Sequence, residues 1–374
     1  MRAHLEQELH SWVDAGVIDQ QVADRIRAFE STPKPTGLRW PAILAIAFGA
    51  IMVAAGVLLF VAAHWEEMSP AQRFLLVLAM VMVFHIAAGA LMPRMRALGL
   101  ALHAVGTAAL GGGIFLAGQI FNLQEHWPGG ILLWAIGALL AWWVLRDWLQ
   151  ASLAALLIPA WIASEWGVRT QQVSGTGKPL CQFLTLLAIA YLSAQREGDQ
   201  SHFRRALKWM GGLALLPLAA TLAAEREWGW RHLPPMSTSW RIAGYVMAFA
   251  LPLLVAWFLR GKGAVWNAAF AVWVLALGLL SPEDVLGEMA IYAVCALGAM
   301  GLVYWGLQER RRERINLGVA GFAITVVVFY FSSVMDKLGR SASLVGFGLL
   351  FLLGGWKLEQ LRRKLSARVT GGAR

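Results

Sequence analysis

Trp40-Pro-Ala-Ile-Leu-Ala-Ile-Ala-Phe-Gly-Ala-Ile-Met-Val-Ala-Ala-Gly-Val-Leu-Leu-Phe-Val-Ala-Ala63 contains no charged side chain. About 20 apolar residues in a helix are enough to cross the hydrocarbon core of a bilayer. The rest of the chain repeats the pattern. Of its 374 residues 58% are hydrophobic and only 14% are charged, with a mean hydropathy of +0.58. Soluble domains carry about a quarter charged residues. An ordinary soluble enzyme, a disordered chain and a collagen-like rod are therefore excluded, and a polytopic membrane protein remains.

Eleven further apolar segments follow: Phe74–Met92, Ala97–Leu123, Pro128–Leu145, Trp148–Ser164, Pro179–Gln195, Trp209–Ala224, Ile242–Leu259, Ala264–Leu280, Met289–Gln308, Ile315–Met335 and Ser341–Trp356. The expected fold is an all-α bundle of about twelve spans. Trp148–Ser164, short and holding Pro159, is the weakest of them. Basic residues in the loops set orientation. With the N-terminus inside, 24 of the 32 Lys and Arg residues fall on inner segments and 8 on outer ones, while the acids divide 12 inside and 10 outside. The net charge of +10 therefore reads as membrane topology and attraction to anionic lipid, not as a nucleic-acid site. Both termini are expected in the cytoplasm. Many of the 19 tryptophans stand at span ends, at headgroup depth.

The first 39 residues are polar and patterned and do not read as a cleavable leader. Residues 1–32 read as a cytosolic helical hairpin. Leu5, Leu9, Trp12 and Val13 form one apolar stripe, and Val22, Ile26 and Phe29 form the second. Gly16 suits a left-handed helix stop and Asp19 an N-cap. Two such helices bury too little surface to stand alone. The stripes of Leu5, Leu9, Trp12, Val22, Ile26 and Phe29 are accordingly candidates for docking a partner. Residues 33–39 form a Pro/Gly linker, 40–358 the transmembrane domain and 359–374 a basic tail.

Within this frame, Trp12-Val-Asp-Ala-Gly16-Val-Ile-Asp19 followed by Ala23 and Ile26 resembles the start of the bacterial "domain of unknown function 2157" family of predicted membrane proteins. Gly118-Gln119-Ile-Phe-Asn122-Leu with Trp127-Pro128 resembles its third and fourth spans. Asp336-Lys-Leu-Gly-Arg340-Ser341 and Arg362-Arg363-Lys364 are similar to its tail. The likeness is best over residues 1 to 150. It implies an inner-membrane protein with a small cytosolic N-terminal domain and a membrane partner. It implies no activity.

Two sets of polar residues are candidates for function. His85, His103, Gly111, Gly112, Gly113, Gln119 and Asn122 lie on the second and third spans. Three consecutive glycines in mid-membrane serve either close helix packing or a local break that lines a path. The second set, His64, Glu66, Glu67, Glu125 and His126, gathers on the outer face. A catalytic reading needs these side chains to converge in one pocket. No metal-site spacing, nucleotide loop or nucleophile motif is present, and no cofactor is expected. Cys181 and Cys295, both in apolar runs, read as core residues. The sequence thus leaves two readings. One is movement of a small molecule or lipid along a path beside the third span. The other is a non-enzymatic scaffold or assembly partner in an envelope complex, docking through the N-terminal hairpin.

Overall fold

The computed structural model describes residues 9–31, 68–120, 126–196, 198, 200–224, 233–280 and 285–334. It also describes single positions 45, 48, 49, 52, 56, 59, 348, 352, 354, 356 and 360. Ordered elements among the described residues are helical: α1 (Gln20–Ser31), α2 (Pro70–Leu91), α3 (Arg96–Ile120), α4 (Pro128–Leu145), α5 (Trp148–Arg169), α6 (Gly177–Leu192), α7 (His202–Ala224), α8 (Thr238–Tyr245), α9 (Leu251–Arg260), α10 (Val265–Leu279), α11 (Val285–Gln308) and α12 (Arg312–Phe329). Helices satisfy their own backbone groups, which hydrocarbon cannot do.

Eight helical stretches are long and apolar enough to cross a membrane. The longest, Thr238–Leu279, has 42 residues. At 1.5 Å per residue it would reach about 63 Å, twice the hydrocarbon core. It does not run straight. Gly261, at φ 59°, opens a 3₁₀ turn (Gly261–Ala264) that ends α9 and reverses the chain into α10. Gly244 lies against Pro179 and Ala256 against Ala190, whereas Gly278 lies against Gln182 and Asn267 against Ser193. The chain before the turn therefore runs parallel to α6, and α10 runs antiparallel to it. Pro252 lacks an N–H, and the π-helical turn Val246–Ala250 precedes it.

Ten of the twelve expected segments coincide with described helices. Trp148–Ser164 is longer than expected and runs to Arg169 through Pro159, as a helix of 22 residues. Trp40–Ala63 and Ser341–Trp356 lie outside the described residues except for single positions. Residues 9–14 are helical, Gly16 has φ 69°, and the Val22 N–H donates to Asp19 Oδ1 at 2.7 Å.

Caps mark the other starts. Ser69 and Gln72 form a reciprocal capping box ahead of Pro70, and Asp147 caps α5. Sequential helices pair across tight turns on the side expected to be cytoplasmic. Small residues let the pairs close. A Cβ at Gly211 would sit 2.3 Å from the Ala188 carbonyl oxygen, and one at Gly318 would sit 2.6 Å from that of Ala299. In α4–α5 the alanines Ala135, Ala138 and Ala154 take this place. The largest core, around Leu186, Ile189, Leu215, Phe270, Val274 and Trp305, joins α6, α7, α10 and α11.

Gly211→Val should destabilise the purified protein by about 1–3 kcal/mol or more, because backbone atoms cannot yield as side chains do. Gly212→Ala, whose nearest neighbour is a side-chain carbon 3.6 Å away, should stay within about 0.5 kcal/mol. Thermal unfolding of both variants in detergent checks the contrast.

Candidate functional site

The third span, α3, has two unlike faces. Successive residues advance by 100° around a helix. His103, Gly106, Thr107 and Gly111 are buried on one side. Ala108, Gly112, Phe115 and Gln119 are exposed on the other. The candidates for a path are therefore split: His103 and Gln119 point in nearly opposite directions. Asn122 lies outside the described residues.

The buried face is solid. His85 Nδ1 of α2 meets His103 Nδ1 of α3 at 2.9 Å. One imidazole donates and the other accepts, so the pair takes complementary tautomers. The His85 ring covers Gly106, where a Cβ would sit 2.9 Å from Nε2. The Thr107 hydroxyl donates to the His103 carbonyl at 3.2 Å, and the Trp134 indole donates to the Thr107 carbonyl at 2.8 Å. The same indole lies over Gly111, 2.2 Å from where a Cβ would stand, and Val77 fills the space over Gly113. The helix runs unbroken through Gly111–Gly113. Of the two readings of the glycine run, these two positions meet the one of close packing. Gly112 has nothing within 4 Å.

Other polar groups of the bundle are also used between helices. Tyr191 donates to the Ala155 carbonyl at 2.7 Å, Trp273 to that of Val294 at 2.8 Å, and the Asn267 amide to Ser193 Oγ at 3.1 Å. In a membrane such bonds hold helices together.

On the side expected to lie outside, His126 Nε2 lies 2.6 Å from Glu165 Oε2, and Arg169 Nε donates to Glu165 Oε1. His64, Glu66, Glu67 and Glu125 lie outside the described residues. Glu165 was not among the expected residues, since it stands one position past the expected end of its span. Among the described residues no group of three or more His, Cys, Asp or Glu could hold a metal ion.

The side expected to be cytoplasmic carries a second cluster, which the sequence did not mark. Glu309, between α11 and α12, receives Arg260 Nη2 at 2.5 Å, Arg314 Nη1 at 2.6 Å and the Trp305 indole at 2.7 Å. The Arg314 guanidinium lies 4.1 Å from the Trp305 ring centroid and that of Arg260 5.2 Å from it. Burial would raise the Glu309 carboxyl, but the Arg260 and Arg314 charges and the hydrogen bonds hold it below its ordinary range. Arg314 closes the basic run Arg310-Arg311-Arg312-Glu313-Arg314, on a loop counted among the inner segments. It is 1% exposed and pairs with Glu309. A nearby carboxylate and an indole stabilise the buried cation better than a headgroup at a distance can. Arg204 and Arg311 donate to the backbone of Leu259 and Gln195, joining neighbouring inner turns.

Of the N-terminal docking candidates, Leu9 is fully buried and Trp12 is 40% exposed, with Val17 beside it at 71%. Val22 and Ile26 are half-buried. Leu5 and the Phe29 side chain are not described.

This arrangement runs from the N-terminal helices through α2, α3 and α4. Residues 10–151 match the family model of the predicted membrane proteins DUF2157. The DUF2157 match includes Trp12, the His85–His103 pair, the glycine run and the Asp147 cap. It stops before the Glu309 cluster. No curated protein and no solved structure matches the chain.

If His85 and His103 serve as a helix clamp, removing one leaves the other buried and unpaired, at a cost of about 1–3 kcal/mol. His85→Phe and His103→Phe should each destabilise the protein. The double variant should lose less than the two single losses together, as a thermal-unfolding double-mutant cycle would read.

Proposed function

We propose that this chain is a non-enzymatic assembly subunit of a bacterial inner-membrane complex, with both termini in the cytoplasm. About twelve spans and a cytosolic N-terminal helical hairpin complete its architecture. Its seam for a membrane partner is the open face of α3. The observation that carries this reading is the division of α3. Its polar and glycine face is packed against α2 and α4, while Ala108, Gly112 and Gln119 stand exposed on the other. Ala108 and Gly112 are four residues apart, the spacing that lets a second helix approach closely, and Gln119 offers an amide to hydrogen-bond across it. Exposed Trp12 and Val17 support a second contact on the cytosolic side. The excess of basic residues expected on the inner side, 24 of 32, favours anionic lipid around the complex.

The second reading, movement of a small molecule or lipid beside α3, is favoured by one feature. Two histidines in contact at membrane depth can exchange a proton. The packing over Gly111 and Gly113 argues against a path there.

A photo-crosslinking amino acid placed at Gly112 or Gln119 in cells should give a protein adduct, and one at Trp12 should capture the same partner or a second copy of this chain. Val272, exposed on α10, should give lipid adducts alone. Gly112→Leu should abolish the α3 adduct without changing thermal stability. Lipid adducts alone from all three sites would refute the assembly reading.

A further inference from the structure

The turns that follow α6, α9 and α11 meet at one end of the bundle, and arginines tie them together. The Leu259 carbonyl accepts from Arg196 Nε at 3.0 Å and from Arg204 Nη1 at 2.7 Å. Arg204 Nη1 also reaches the Ala194 carbonyl at 3.0 Å, and Arg311 Nη2 reaches that of Gln195 at 3.0 Å. Next to Leu259, Arg260 shares Glu309 with Arg314. Across these turns and the helix starts beyond them (193–208, 259–264 and 309–314), ten Lys and Arg residues stand against four acids. Three helices end here, α6, α9 and α11, and three start, α7, α10 and α12. Their partial charges therefore offset one another, and an excess of positive charge remains.

Three features of this end select an occupant. Arg260 Nη1 and Arg314 Nε are buried and meet no acceptor, so the field behind the surface stays positive. At the surface, Arg196 and Lys262 are exposed, both within a few ångströms or one turn of Leu259. Donors and positive charge call for an anion, and a guanidinium fork matches the oxygens of a phosphate. Trp257, Phe258 and Val265, just before and just after the same turn, are exposed apolar side chains. A ligand that meets both surfaces is amphiphilic. We propose that the turn after α9 is a binding site for an anionic phospholipid, whose phosphate pairs with Arg196 and Lys262 and whose acyl chains lie along Phe258 and Val265. The site gives a place to the anionic lipid of the proposed function and rests on that part of it alone, not on the seam of α3.

The test is thermal unfolding of the full chain, delipidated in a neutral detergent, with phosphatidylglycerol, phosphatidylcholine or inorganic phosphate added separately. Phosphatidylglycerol should raise the midpoint saturably, and the other two should not. Arg196→Gln with Lys262→Gln should raise the phosphatidylglycerol concentration at half-effect by about tenfold or more. Lys262→Gln alone, at an exposed position outside the arginine ties, should raise it several-fold with the lipid-free midpoint unchanged. Arg94→Gln, which removes an exposed arginine from the turn between α2 and α3, should leave it unchanged. Equal stabilisation by phosphatidylcholine or inorganic phosphate would overturn the site. So would equal losses from Arg94→Gln and Lys262→Gln, which would leave only a general attraction of anionic lipid. No stabilisation by phosphatidylglycerol would remove that attraction as well.

Discussion

In hydrocarbon no hydrophobic force draws one apolar helix onto another, so every feature of this fold depends on how closely its helices approach. The chain meets that constraint with short side chains. Gly211 and Gly318 touch the backbone of the neighbouring helix, alanines close α4 on α5, and Gly106 admits the ring of His85. Dispersion gained at such contacts is small per atom pair and large in sum. Where the short residues stand exposed, as at Ala220 and Ala224 beyond Pro217, the same composition leaves a groove. Packing and vacant space thus come from one sequence property, and the difference lies in what stands opposite.

Polar residues follow the same logic. An unpaired polar group in the membrane is costly, and several of those described find a partner across a helix boundary. His85 with His103, Asn267 with Ser193 and Trp134 with the Thr107 carbonyl are such pairs. At the turn between α11 and α12, Glu309 gathers two arginines and an indole from α9, α11 and α12. The bundle uses these polar groups to join its helices. Its open features lie on the outside, at the exposed face of α3 and the cleft beside α7.

Much of the architecture was legible in the sequence because span length and charge bias are local properties. The helices from α2 to α12 overlap the expected apolar segments, and at the N-terminus Gly16 takes its left-handed φ and Asp19 accepts the Val22 N–H. The errors came where charge and helix part company. Trp148–Ser164 ended at the first acid, yet Glu165 and Arg169 neutralise each other on successive turns and the helix continues. Pairings distant in sequence were not legible. Arg314 reads as one more member of a basic run until the fold brings Glu309 and Trp305 to it. The glycine run was equally ambiguous, since whether it breaks or packs depends on Trp134 and Val77, which belong to other helices.

The central claim is that the polar face of α3 is sealed, and water access measures it directly. Thr107→Cys, Leu110→Cys and Ile114→Cys, each made alone in a chain whose Cys181 and Cys295 are replaced by alanine, place a thiol along that face. In intact membranes a water-soluble methanethiosulfonate reagent applied from either side should label none of them, while each thiol reacts once the protein is unfolded. Labelling of successive positions from both sides would reveal an aqueous path along α3 and contradict the account.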